Sequence, residues 1–410
     1  MTMDFIERAE CLLDTGSLGN LNFTIIGTYT GPLRDTHLQQ GLAFLQTQHR
    51  MLRVALSWED GVCQFRETSS EVPVTRLDYH DFSDWKAVAT RDVRRRFDEP
   101  DLPLWRASWL DGNGQGQIIL SFHHAIADGV CGMQLMDHLF SALALLIQGK
   151  PPHPNLNEAA APSPESLFPL AELEPEEDGP VPTRVDQDHH TSYILDEIEA
   201  SATGRIVDWA KARGIRVHSI LFAALLQAVK RVTPNPHATL DALTVVNFRP
   251  FYEPGLSRDV MKLTRVCITT EAAVTGREDL GELADFIHAD IYRQLAAGEP
   301  ILNLKRIARR VERQESPTDL WCRARYPAHT VTLTNVGMLD FSGDYDGISL
   351  DKLFFIANVE PFFEAPDNWV LGAVTFRGQL FLTLWYLEEL VDEETARRVL
   401  SETKRILSGL

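Results

Sequence analysis

The sequence is short of cysteine and of positive charge, and it has no long uninterrupted apolar run. Five cysteines, Cys11, Cys63, Cys131, Cys267 and Cys322, are scattered through 410 residues and form no CxxC pair. An odd, dispersed set argues against a disulfide framework and against a cysteine zinc site. Lysine and arginine total 39 against 58 aspartates and glutamates, a formal charge of −19. A surface of that sign repels phosphate backbones, so no nucleic acid partner is expected. A run of roughly 18 apolar residues, the length needed to cross a bilayer, is absent, so no transmembrane segment is expected. The first residues, MTMDFIERAE, carry acids where a signal peptide would carry bases. A reducing, cytoplasmic location is the expectation. Two catalytic signatures are missing as well. There is no GxSxG nucleophile elbow and no HEXXH zinc motif.

What is present suits a folded enzyme of two lobes. Apolar residues make up 44% and charged residues 24%, an ordinary globular composition, and the length exceeds one usual core. Residues 1–150 alternate helix and strand signals, with strands expected over Leu21–Thr30, Val54–Trp58, Trp105–Leu110 and Gln117–Phe122. Helices are expected over Asp4–Leu13, Leu33–His49, Asp84–Phe97 and Val130–Ile147. The DGNGQG stretch between two of the strands reads as a hairpin turn rather than a phosphate cradle, because no helix follows it. Residues 151–190 are rich in Pro, Glu and Asp and read as a linker. Mixed helix and strand patterns resume over 191–410, including strands at Leu243–Asn247, Arg265–Thr270, Val331–Thr334, Leu353–Val359, Val370–Phe376 and Leu380–Tyr386. The expected class is α/β, with two lobes flanking the linker.

The sharpest feature is Ser121-Phe122-His123-His124-Ala125-Ile126-Ala127-Asp128-Gly129. An apolar strand delivers two histidines to its end, where loops commonly hold catalytic groups on rigid support. Histidine suits proton transfer near neutral pH. Neighbouring side chains on a strand face opposite ways, so His123 and His124 are poorly placed to share one ion, and no metal is expected. The bland reading is a buried histidine pair followed by a helix-capping aspartate. His189-His190 has no third ligand nearby in sequence, and Cys131 reads as a packed helix residue.

The HHAIADG motif resembles the superfamily of chloramphenicol acetyltransferase, peptide-synthetase condensation domains and polyketide-associated acyltransferases. Other segments match in order: His49-Arg50-Met51-Leu52-Arg53, Phe97-Asp98 with Pro103-Leu104-Trp105-Arg106, Asn247-Phe248-Arg249-Pro250, and Thr334-Asn335-Val336-Gly337. The plant-branch motif DFGWG is absent, and the likeness is greatest to the free-standing polyketide-associated branch. The resemblance implies two chloramphenicol acetyltransferase-like lobes in a V, with a tunnel at their interface. It implies acyl transfer from a thioester, with acyl-CoA or a phosphopantetheine carrier as co-substrate and no cofactor or acyl-enzyme. The acceptor would be a small-molecule or lipid alcohol. Amide formation with an amine, or a silent carrier-binding scaffold, are the alternatives.

The resemblance also assigns residues. His124 would be the general base. His123, Asp128, Gly129 and Arg53 would support the motif, with Asp128 paired to Arg53. Thr334, Asn335 and Arg249 would line the cleft, the first two as donors to an oxyanion. Two arginine groups, Arg91, Arg94, Arg95 and Arg96, and Lys305, Arg306, Arg309, Arg310 and Arg313 with Arg323 and Arg325, read as solvated faces or as a dock for the donor's phosphates or for an acidic carrier.

Overall fold

The strand that ends at His123 forms because Ile118, Ile119, Leu120 and Phe122 put apolar side chains on both sides of the pleat, with the buried Ser121 hydroxyl bonded to Thr24 at 2.9 Å, which suits a strand covered on both faces. The computed structural model describes residues 3–14, 20–59, 62–78, 84–154, 161–168, 190–233, 237–324, 329–359 and 368–410. Most of the expected 151–190 linker, with His189 and Arg325, lies outside them. In chain order the first half runs α1 (Phe5–Leu13), β1 (Asn22–Thr30), α2 (Asp35–Gln48), β2 (Val54–Glu59), β3 (Val62–Glu67), β4 (Val74–Asp78), α3 (Asp84–Arg94), β5 (Trp105–Asp111), β6 (Gln115–His123) and α4 (Gly129–Ile147). The second half runs β7 (Thr191–Ile198), α5 (Ala200–Arg213), α6 (Val217–Val232), β8 (Thr239–Asn247), β9 (Arg265–Ala273), α7 (Leu280–Ala296), α8 (Glu299–Glu312), α9 (Pro317–Ala324), β10 (Thr330–Met338), β11 (Asp344–Tyr345), β12 (Ile348–Ala357), β13 (Trp369–Phe376), β14 (Gln379–Leu387) and α10 (Glu393–Ser408).

Two mixed six-stranded sheets organise these elements, in the orders β11-β12-β1-β6-β5-β4 and β7-β14-β13-β10-β8-β9. A separate ribbon pairs β2 with β3. The expected α/β class and two-lobe arrangement hold. The expected division of the chain does not follow the sheets. Strand β12 pairs antiparallel with β1, Ala357 opposite Phe23, and so belongs to the first sheet despite lying in 191–410. In the other direction, Phe5, Ile6 and Ala9 of α1 join a core with Phe248, Tyr252 and Leu304 of the second half. A strand pattern in sequence reveals a strand but not the sheet that receives it. Strands β3, β4 and β7 and helix α9 had not been expected as elements.

Local readings near the motif hold well. Asp111–Gly116 closes the β5–β6 hairpin, with Asn113 and Gly114 both at positive φ, as a tight turn between twisted strands requires. Helix α4 packs on β1 at close range: a Cβ on Gly132 would lie 3.0 Å from Phe23 and 3.1 Å from Ile25. Helix α4 is long and apolar enough to cross a membrane by length and composition, but 56% of its most apolar window is buried inside the fold. It serves as a core helix.

Candidate active site

The two histidines separate as strand geometry requires. His123 is fully buried. Its Nδ1 accepts from the Ala125 amide at 3.0 Å, so its Nε2 carries the proton and donates to Asp14 Oδ2 at 3.1 Å. Asp14, which closes α1, also accepts from the Leu21 amide at 3.0 Å. His123 is thus a tie between α1 and the β6 end. The role expected for it, support of the motif away from the reacting space, fits this geometry.

His124 turns the other way. Its Nδ1 lies 2.8 Å from the Ala127 carbonyl oxygen. A carbonyl can only accept, so Nδ1 carries the proton and Nε2 keeps its lone pair. The Phe23 ring packs beside the imidazole, centroids 4.8 Å apart. Burial, followed by the positive charge of Arg265, pushes the His124 pKa down to about 4, against smaller opposing effects from Glu10, the Ala127 carbonyl and Asp128. The imidazole is therefore neutral and able to accept a proton at neutral pH.

Asp128 caps α4, accepting from the Cys131 amide at 3.0 Å. Its expected partner, Arg53, is not the one it has. Arg53 donates to the Gln46 carbonyl within the first half. Asp128 is held by Arg249, whose Nη2 lies 3.1 Å from both carboxylate oxygens. Thr264 adds its hydroxyl at 2.7 Å and its amide at 3.0 Å to Oδ2. Burial alone would raise the Asp128 pKa, but the charge of Arg249 and the bonds from Thr264, Cys131 and Arg249 outweigh it and hold the carboxyl below its usual value. Arg249 was expected in the cleft. It is buried instead, its Nη1 donating to the Ser257 and Val260 carbonyls and its Nη2 also to the Lys262 carbonyl. The pair joins the loop carrying His124 to the second sheet's loops.

A cleft of about 130 Å³, partly open to solvent, lies between the sheets. His124, Phe23, Phe355 and Ala357 line it from the first sheet and its loops, and Asn247, Thr332, Thr334, Asn335, Val370 and Trp385 from the second. Thr334 and Asn335 are where expected. The Asn335 side-chain oxygen accepts from the Gly337 amide at 2.9 Å, which directs its NH₂ group elsewhere. Gly129 also lines the cleft. Its backbone is ordinary, and a Cβ there would meet only Val336 at 3.5 Å, so a side chain would take up cleft space without straining the turn. Sequence reading missed Arg265, Thr332 and Trp385. Arg265 is paired with Glu10 at 3.0 Å. Arg265 and Trp385 come from strands with no recognisable motif and Thr332 lies ahead of the motif on β10, and only tertiary packing brings them to the cleft that holds His124.

The rival chemistries fare as follows. Cys131 is buried, and burial together with the Asp128 charge pushes its thiol up to about 12, which removes it as a nucleophile. His190 does acquire carboxylate neighbours, Glu388 and Glu389, from the far end of the chain. They are exposed, and His190 Nδ1 is already 2.5 Å from Glu389. Arginines 91, 94, 95 and 96 are ion-paired with Asp92, Glu388, Glu99 and Asp14, and Arg94 also grips the Thr191 carbonyl. On α8, Arg306 pairs with Glu299.

Known proteins resemble this chain in sequence and in fold. Residues 19–158 match the condensation domain model, and residues 193–384 match the model of the phthiocerol/phthiodiolone dimycocerosyl transferase C-terminus. The O-acetyltransferase pigM of Monascus ruber is 28% identical over 217 residues, which span 50% of this chain and 40% of that protein. Three solved structures share the fold. Polyketide synthase associated protein 5 from Mycobacterium tuberculosis has a TM-score of 0.70 at 16% identity, over 98% of this chain and 95% of that one. The first condensation domain of the calcium-dependent antibiotic synthetase has a TM-score of 0.70 at 13% identity, over 100% and 95%. SgcC5 from Streptomyces globisporus has a TM-score of 0.66 at 16% identity, over 100% and 98%. The chain is thus similar to the condensation domain family over residues 19–158 and to the phthiocerol/phthiodiolone dimycocerosyl transferase C-terminus family over residues 193–384, and it shares its fold with condensation domains and a polyketide synthase associated protein.

Proposed function

We propose that this protein transfers an acyl group from a thioester to a nucleophile, with His124 as the general base. The observation that carries this reading is the fixed tautomer of His124 on the wall of the cleft, with Nδ1–H spent on Ala127 and Nε2 left basic. Nε2 accepts the proton of the acceptor as its heteroatom attacks the thioester carbonyl. The tetrahedral intermediate carries an oxyanion, and the Asn335 NH₂ and Thr334 hydroxyl on the cleft wall are the donors proposed for it. As the intermediate collapses, the histidinium returns its proton to the departing thiolate. No acyl-enzyme is invoked, since the thiol nearest the motif is inert. The thioester is carried by coenzyme A or by a carrier's phosphopantetheine arm.

Two acceptors have support. An amine, giving condensation-type amide formation, is favoured by the condensation domain match over the half that holds His124, and by the condensation-domain structures sharing the fold. A hydroxyl is favoured by the O-acetyltransferase relative and by the transferase match over the second half. The condensation-type reading has the broader support. Incubation of the protein with acyl-pantetheine thioesters and a panel of amines and alcohols tests both, with thiol release and product mass as readouts. An amide product supports the first reading and an ester the second. Thioester that stays intact with every acceptor rejects catalysis in favour of a scaffold.

A further inference from the structure

The cleft wall at the Thr332 end of β10 carries a row of three side chains in register. Thr332 lies opposite Val370, and Val370 opposite Trp385, on adjacent strands of the second sheet. Cross-strand neighbours share a face, and all three line the cleft. Thr332 precedes Thr334 by two residues and Val336 by four, so the row lies roughly 7 Å along the strand from Thr334, the donor proposed for the oxyanion, and roughly 13 Å from Val336.

The row is not simply apolar. Thr332 Oγ1 and Trp385 Nε1 are buried polar atoms with no hydrogen-bond partner, in residues each 2% exposed. Other buried side-chain atoms of the chain lack partners too, Trp369 Nε1 and Tyr252 Oη among them. Of this set among the described residues, only Thr332 and Trp385 belong to the cleft wall. A buried donor left unpaired is costly, because it gives up its bonds to water and gains none in return. Around this row the surface is hydrocarbon and aromatic, with Phe355 packed edge-on against Trp385 at 5.4 Å. A plain alkyl chain here would leave both polar atoms unpaired. A chain bearing an oxygen would pair them.

We infer that the acyl group taken by this cleft carries an oxygen, as a ketone or hydroxyl, several bonds from the reacting carbonyl, with Trp385 Nε1–H donating to it and Thr332 as the second polar point. This rests on the acyl-transfer reading above but is tested by binding, so the two can fail separately. A ketone replaces a methylene with almost no change of shape, so the oxygen can be tested alone. Octanoyl-pantetheine and its 5-oxo, 6-oxo and 7-oxo analogues are titrated calorimetrically into the full-length protein. At least one oxo analogue should bind about 10-fold more tightly than the octanoyl parent, the gain from pairing a buried donor. Trp385→Phe keeps an aromatic ring beside Phe355 and removes the N–H, and it should abolish the preference. Thr332→Val, nearly isosteric, should reduce it. Thermal melting confirms that each variant is folded. Equal or weaker binding of every oxo analogue by the wild type, or a preference that survives in Trp385→Phe, overturns the inference. Acyl transfer that proceeds without that preference leaves the function standing and removes only the oxygen-bearing chain.

Discussion

Arg249 holds Asp128 with one nitrogen 3.1 Å from both carboxylate oxygens, across 121 residues of chain. Both side chains are nearly sealed from solvent, at 3% and 7% exposure. Removing either partner strands the other charge in the interior, at a cost of about 3–5 kcal/mol. Asp128→Asn and Arg249→Ala should each lower stability by that order, and the double variant should lose little more than either alone. Arg53→Ala should not couple to Asp128. A urea-denaturation double-mutant cycle with additive losses at Asp128 and Arg249, or strong coupling between Asp128 and Arg53, would contradict the pairing.

Removing the base should stop the chemistry without unfolding the chain. The imidazole makes one side-chain hydrogen bond, to Ala127, so His124→Ala leaves the His123–Asp14 tie intact. Transfer should fall by about 10²–10⁴-fold, with the melting temperature little changed. Turnover within threefold of the wild type would sink the mechanism. His123→Ala should act chiefly on stability, because its ring is buried and bonded to Asp14 and Ala125.

The pH dependence follows chiefly from the three most depressed histidines, with His37 and His288 lowered by less. Burial lowers His124 and His218 to about 4 and His49 to about 3, the charges of His138 and Arg53 contributing to the last. Unfolded histidine titrates near 6.5, so over the interval between the two the unfolded chain binds more protons. The stability these groups provide is complete above about pH 6.5 and is lost as pH falls toward 4. Glu7, raised to about 7 mainly by burial and by Asp4, works in the opposite sense, as do Asp137, Glu165 and Asp241, which burial raises by less. Stability from urea melts should drop between pH 7 and pH 5. The acid limb of kcat/KM, set by free His124, should lie well below pH 6. A limb at pH 6.5 would show that the imidazole is not held in this environment.

The oxyanion assignment makes a narrower claim. Asn335→Ala should lower kcat by about 10²–10³-fold, the usual effect of losing one such donor, with little change in KM. A rise in KM at unchanged kcat would make Asn335 a binding residue instead.

What the sequence by itself determined was the local chemistry. The turn after β6, the separation of His123 from His124, the capping role of Asp128 and the β5–β6 hairpin all depend on residues within a few positions of one another, and strand and helix geometry decide them. The order of the weaker segments also pointed to Thr334 and Asn335 before any contact was visible. Only the tertiary structure decided which residues answer these across the chain. It gave Asp128 to Arg249 rather than Arg53, placed β12 beside β1, and set Thr332 and Trp385 in one row on the cleft wall. Each of these depends on which strand lies next to which, and on which charged group is desolvated with which partner. Those choices follow from burying the whole apolar surface at once, and no short stretch of sequence contains them.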